Sequence, residues 1–81
     1  MDEKKQSLYI SVIITTLADL GEAPAGMVYS GLMGTGLTFS NYTAIQAMLV
    51  GAGFCTLTGN VLRITDKGRD LANTINQAIE A

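Results

Sequence analysis

The sequence has no histidine, one cysteine and one proline. Without histidine there is no Ser-His or Cys-His pair to activate a nucleophile. One cysteine and no histidine also leave too few nitrogen and sulfur ligands for a structural zinc site. The lone thiol, Cys55, has no partner for an internal disulfide, which excludes a stapled secreted mini-protein. It reads as a small buried apolar residue in a reducing, cytoplasmic setting. Charge is scarce as well: 15% of residues are charged, against roughly 25% in ordinary soluble domains. Five basic residues against seven acidic ones give a net charge of −2, the wrong balance for a strongly basic nucleic-acid binder.

What the chain does have is apolar content, 48% of its 81 residues. That excludes intrinsic disorder, which needs low hydrophobicity and high net charge. The length allows one small domain over residues 1–81, and a domain of this size buries only about 60% of its unfolded surface. Some apolar side chains are therefore expected to meet a partner chain. The N-terminus imitates a secretory signal, with Lys4 and Lys5 before the apolar run Leu8 to Leu20 and Ala23-Pro24-Ala25 after it. Against that, Asp2 and Glu3 cancel the positive charge, and Ser11, Thr15 and Thr16 interrupt the run. Asp19 and Glu22 also precede the apparent cleavage site. The run is too short and too polar for a membrane span of about twenty residues, so a buried helix of a soluble protein is expected.

The spacing predicts a first helix capped by Ser7 and stopped at Gly21, with Ile10, Ile13, Ile14, Leu17 and Leu20 on one face. A second, weak helix is expected over Ala23–Met33, with Pro24 in its first turn and Gly26 and Gly31 lowering its propensity. Gly34-Thr35-Gly36 breaks the chain. A third helix is expected from a Ser40 cap to about Ala52, with Ile45, Met48, Leu49 and Ala52 inward and Thr43, Gln46, Ala47 and Val50 outward. Phe54–Thr58 and Val61–Thr65 flank Gly59-Asn60, a loop suited to a type II′ hairpin. That register sets Leu57 opposite Leu62 and Cys55 opposite Ile64 on one face. Thr65 then caps a last helix with Leu71, Ile75, Ala78 and Ile79 as its stripe.

Other motifs carry no chemistry. Gly31-Leu32-Met33-Gly34-Thr35-Gly36 lacks the lysine of a phosphate-binding loop and the preceding strand of a dinucleotide fingerprint. Met27, Met33 and Met48 sit at helical spacing and read as core filling rather than an adaptable groove. Asp19 and Glu22, and Asp66 and Asp70, flank helix ends without converging on a pocket. No cofactor, metal or catalytic residue is expected, and the chain does not read as an enzyme.

The run from Leu49-Val50-Gly51-Ala52-Gly53-Phe54 to Leu62-Arg63-Ile64-Thr65-Asp66-Lys67-Gly68 resembles winged helix-turn-helix domains, in general pattern the MarR/PadR-like regulators. In that pattern a helix closes on glycine, a strand pair follows, and threonine opens a helix with glycine three residues on. The resemblance spans roughly residues 7 to 80. It implies an α+β, mostly helical fold: a three-helix core, a short two-stranded wing and a C-terminal helix. It also implies a transcriptional regulator whose third helix enters the major groove of double-stranded DNA. The contacts it implies are Ser40, Asn41, Tyr42, Thr43 and Gln46, with Arg63, Lys67 and Arg69 near phosphates. The third helix itself carries no lysine or arginine, so a monomer is expected to bind DNA weakly. A homodimer through the first and last helices, with Tyr9, Val12 and Ile79, would double the contacts and cover surplus apolar surface. The alternative is the same fold acting as a protein-interaction or assembly module without DNA binding.

Overall fold

Helix α1 (Glu3–Leu20) runs through Ser7, the expected cap. Glu3-Lys4-Lys5-Gln6 are strong helix formers and extend it backwards, with Glu3 at the positive end of the dipole. Ser7 is an interior residue whose carbonyl accepts the Ser11 hydroxyl at 2.9 Å. The far end matches expectation: Gly21 takes φ 81 and its N–H donates to the Leu17 carbonyl at 2.7 Å. The computed structural model that gives these positions describes residues 3–80, and side chains only as far as residue 78, so the expected interface contact Ile79 lies outside the described residues.

Where a helix was expected from Ala23, the chain forms a short strand, β1 (Glu22–Pro24). It pairs antiparallel with β3 (Val61–Ile64), Ala23 opposite Leu62 and Glu22 opposite Arg63. Pro24 ends it at φ −59 and caps helix α2 (Ala25–Met33) from outside rather than entering its first turn. Helix α3 (Phe39–Gly51) is capped by Thr38, not Ser40: the Thr38 Oγ1 accepts the Asn41 backbone N–H at 3.1 Å. It stops as expected, with Gly53 at φ 84.

Strand β2 (Cys55–Thr58) joins β3 in the expected register, Cys55 opposite Ile64 and Leu57 opposite Leu62. Gly59 holds φ 60 and no described non-glycine residue has positive φ, the type II′ pattern. Cys55, Leu62 and Ile64 are buried, whereas Leu57 stays exposed toward the turn with Thr58, Gly59 and Asn60. Helix α4 (Asp66–Glu80) follows. The sheet order is β1-β3-β2, so the fold is α+β and mostly helical, consistent with a winged-helix-like layout.

The core joins Tyr9, Ile13, Ile14 and Leu17 of α1 with Val28 and Leu32 of α2, Tyr42, Ile45 and Leu49 of α3, and the sheet's inner face. Several expected core positions are not in it. Met48 and Ala52 are exposed on α3, because Tyr42, not Met48, completes the inward stripe. Met27 and Met33 are more than half exposed, since nine-residue α2 is apolar on most sides and only one side meets β1 and α3. On α4 the described buried residues are Gly68 and Ala72, with Leu71 and Ile75 half-buried against the core and Ala78 exposed. Among the described residues no helix is long and apolar enough to cross a membrane.

Candidate functional site

The residues expected to touch DNA fall into two groups that the fold keeps apart. Tyr42, Thr43 and Gln46 line a cleft of about 510 Å³ together with Tyr29, Phe39 and Asn60. Its floor and rim come from the start of α2, the first half of α3 and the hairpin turn, which are tied by the Ala25 N–H donating to the Asn60 carbonyl at 2.7 Å. Three rings form one cluster: Tyr29 stands edge-on to Phe39 at 5.4 Å between centroids and tilted to Tyr42 at 5.2 Å. Among the described residues, no charged side chain lines the cleft.

Within this group the side chains differ in what they can reach. Tyr42 is buried, and its hydroxyl donates to the Ala25 carbonyl at 3.2 Å, so it is a core residue rather than a groove contact. Burial, with Cys55 nearby as a smaller cause, pushes its phenol up to about 12, and burial also raises the Cys55 thiol above its ordinary range. Thr43 is exposed but its hydroxyl is spent on the Phe39 carbonyl at 2.8 Å. Gln46 is half-buried and its Oε1 is sealed from solvent with no hydrogen-bond partner. Ser40 is exposed and Asn41 half-exposed at the start of α3. Phe39, 65% exposed, is the largest feature that sequence reasoning missed, because the expected cap at Ser40 placed it outside the helix.

The three cations lie elsewhere and are engaged. Lys67 donates from Nζ to the Ala52 carbonyl at 2.7 Å and sits 5.0 Å over the Phe54 ring. That is the C-terminal end of α3, about 13 Å along the helix from Thr43. Arg69 donates to the Ala18 carbonyl at 3.2 Å, at the C-terminal end of α1. Both cations thus sit on helix carbonyls that carry the negative end of a dipole. Arg63 pairs with Glu22 at 3.1 Å across the β1–β3 register, on the exposed face of the sheet. All three are exposed, and each has a partner within the chain.

The expected interface residues also separate. Tyr9, expected at the interface, is instead buried in the core of the chain, with its hydroxyl 3.0 Å from the Thr35 Oγ1. Val12 is 37% exposed on the open side of α1. No described group of three histidine, cysteine or acidic residues is placed to hold a metal ion. Comparison with known protein families, curated proteins and solved structures finds no match for this chain.

Proposed function

We propose that this chain is a cytoplasmic, winged-helix-like interaction module whose α3 face and aromatic cleft meet a protein rather than duplex DNA. One observation carries the reading: Lys67, Arg69 and Arg63, the cations a phosphate backbone would require, are bonded to two helix-end carbonyls and to Glu22. A DNA reader draws most of its sequence-independent affinity from free cations on phosphates. The α3 face instead offers Phe39, Thr43, Ala47 and Met48 without a charge, the aromatic and methionine content that protein interfaces favour. The layout that supports the winged-helix part is the sheet order β1-β3-β2 with the hairpin directly after α3.

A fluorescence-anisotropy titration of labelled duplex DNA tests it. We expect no binding at about 50 mM salt, where phosphate contacts are strongest. Binding that weakens steeply as salt rises overturns the proposal and restores the second reading, a small DNA-binding regulator. That reading rests on the same element order and on Ser40 and Thr43 standing exposed in the first half of α3. Under it, Arg63→Ala and Lys67→Ala each flatten the salt dependence by about one phosphate contact.

A further inference from the structure

Helix α1 has a side that the described residues leave partly exposed. Its inward residues Tyr9, Ile13, Ile14 and Leu17 enter the core, and α4 packs along it with its own apolar stripe. That uses α4 inside the monomer and leaves α1 and α2 to supply an outer face. At 3.6 residues per turn, Lys5, Leu8, Val12, Thr16 and Asp19 all project within about 40° of Val12. Four of the eight large hydrophobic side chains exposed among the described residues, Leu8, Val12, Leu20 and Met27, lie on this α1–α2 face.

We propose that this face pairs with a second copy of the chain, the two α1 helices antiparallel and related by a two-fold axis at Val12. The spacing Lys5, Leu8, Val12, Thr16, Asp19 reads 3, 4, 4, 3 and is symmetric about Val12. An antiparallel partner therefore brings Leu8 of each chain opposite Thr16 of the other, and Lys5 opposite Asp19. Both end residues are exposed. They are about 21 Å apart along the helix, so the two-fold makes two ion pairs flanking an uncharged centre. A parallel pair would instead set lysine on lysine and aspartate on aspartate. Charge thus selects the orientation.

Two hydroxyls flanking the surface between those ends are already satisfied. The hydroxyls of Ser11 and Thr15 donate to carbonyls of their own helix, at 2.9 and 2.7 Å, so covering them strands no donor. Beside Thr16 a groove of about 170 Å³ runs between α1 and α2, walled by Val12, Leu20 and Met27 over a floor of Ile13 and Leu32. Its volume and mostly apolar lining leave room for the partner's Leu8. A stable dimer buries about 800 Å² per protomer. That is near one-sixth of the 5030 Å² surface of this chain, within reach of a face spanning two helices. The pairing is independent of what α3 meets.

Sedimentation equilibrium of the full chain tests it, with circular dichroism melting to verify that each variant folds. We expect a concentration-dependent dimer, and a monomer for Val12→Glu, which sets two carboxylates on the axis. Lys5→Glu and Asp19→Lys each turn two attractions into two repulsions and raise the dissociation constant about tenfold or more. Each also places its new charge at the helix end that favours it, and the melts verify that the monomer fold is kept. Lys5→Glu combined with Asp19→Lys returns the constant to near the original. A chain that is monomeric at millimolar concentration overturns the proposal. So does a dimer indifferent to the single reversals, or a double reversal that does not restore it.

Discussion

The Thr65 hydroxyl donates to the Gly53 carbonyl at 2.6 Å and accepts the Gly68 backbone N–H at 3.1 Å. One oxygen therefore ties the residue that closes α3 to the first turn of α4, across the whole hairpin. A second link runs beside it, the Thr65 N–H donating to the Phe54 carbonyl at 3.2 Å. Thr65→Ala removes the cap and the tie to the Gly53 carbonyl, and should cost about 1–2 kcal/mol. Thr65→Ser keeps the oxygen and should cost under about 0.5 kcal/mol by the same reasoning. Urea unfolding of both variants measures the difference; equal losses would mean that the methyl group, not the oxygen, matters.

Gly68 is set by the same junction. A Cβ there would collide with the Phe54 carbonyl oxygen and come within 2.6 Å of the Ile64 Cδ1. Alanine normally gains about 1 kcal/mol over glycine inside a helix. Here the collision pushes α4 off the sheet, an overpacking that typically costs about 1–3 kcal/mol or more. Gly68→Ala should therefore lower the urea midpoint, whereas Gly31→Ala, with open space around its Cβ position on α2, should raise it.

Lys67 and Arg69 give a prediction that separates their two readings. As helix-end cations each contributes about 0.3–1 kcal/mol, weakened by salt. Lys67→Ala and Arg69→Ala should each lower the melting temperature by a few degrees in low salt and by less in 1 M salt. Cations kept for phosphate would give the opposite pattern, no stability change and a loss of DNA affinity.

Tyr42 governs the alkaline limit. Its phenol ionises near 10 in the unfolded chain and near 12 in the folded one, because burial disfavours the phenolate. The folded state holds the proton over that window and the unfolded state loses it, so stability is full below about pH 10 and falls as pH rises toward 12. Cys55, raised by burial, adds to the same slope from about pH 9. Tyr42→Phe should be about 1 kcal/mol less stable at neutral pH, from the lost bond to the Ala25 carbonyl. Its stability should then fall less steeply from pH 10 to 12. Parallel pH profiles for the two proteins would refute the assignment.

The parts of this fold written in short-range chemistry were readable from the sequence. Gly59-Asn60 between alternating residues fixed the hairpin register, Gly53 ended α3, and Thr65 opened α4. Strand β1 was not readable, because Glu22-Ala23-Pro24 has no strand propensity and is extended only by pairing with β3. The first α1 turn was lost to a capping residue, Ser7, that the helix simply passes through. Tyr9 was expected at a dimer interface as part of an apolar first helix, and Tyr42 on DNA from the winged-helix resemblance. Only the tertiary structure shows that their hydroxyls end on Thr35 and on the Ala25 carbonyl. Helical spacing placed Met27, Met33 and Met48 on helices but could not say which sides would be covered. The cations were visible by position and not by partner, and the partner decides what they do.

Gln46 separates a cleft that serves a partner from one that does not. Its Oε1 is sealed off with no hydrogen-bond donor, and an unmet buried acceptor costs about 1–3 kcal/mol. Gln46→Leu removes that acceptor and keeps most of the volume, beside Tyr42 and Phe39 in the cleft. If the side chain serves no partner, the variant should be about 1 kcal/mol more stable in urea, with association unchanged. A residue kept to pair with an adenine edge behaves otherwise: its loss costs about 1–3 kcal/mol of discrimination on DNA. Functional side chains are often retained at a cost in stability, so a more stable Gln46→Leu that also loses a binding partner would identify the cleft as the working surface.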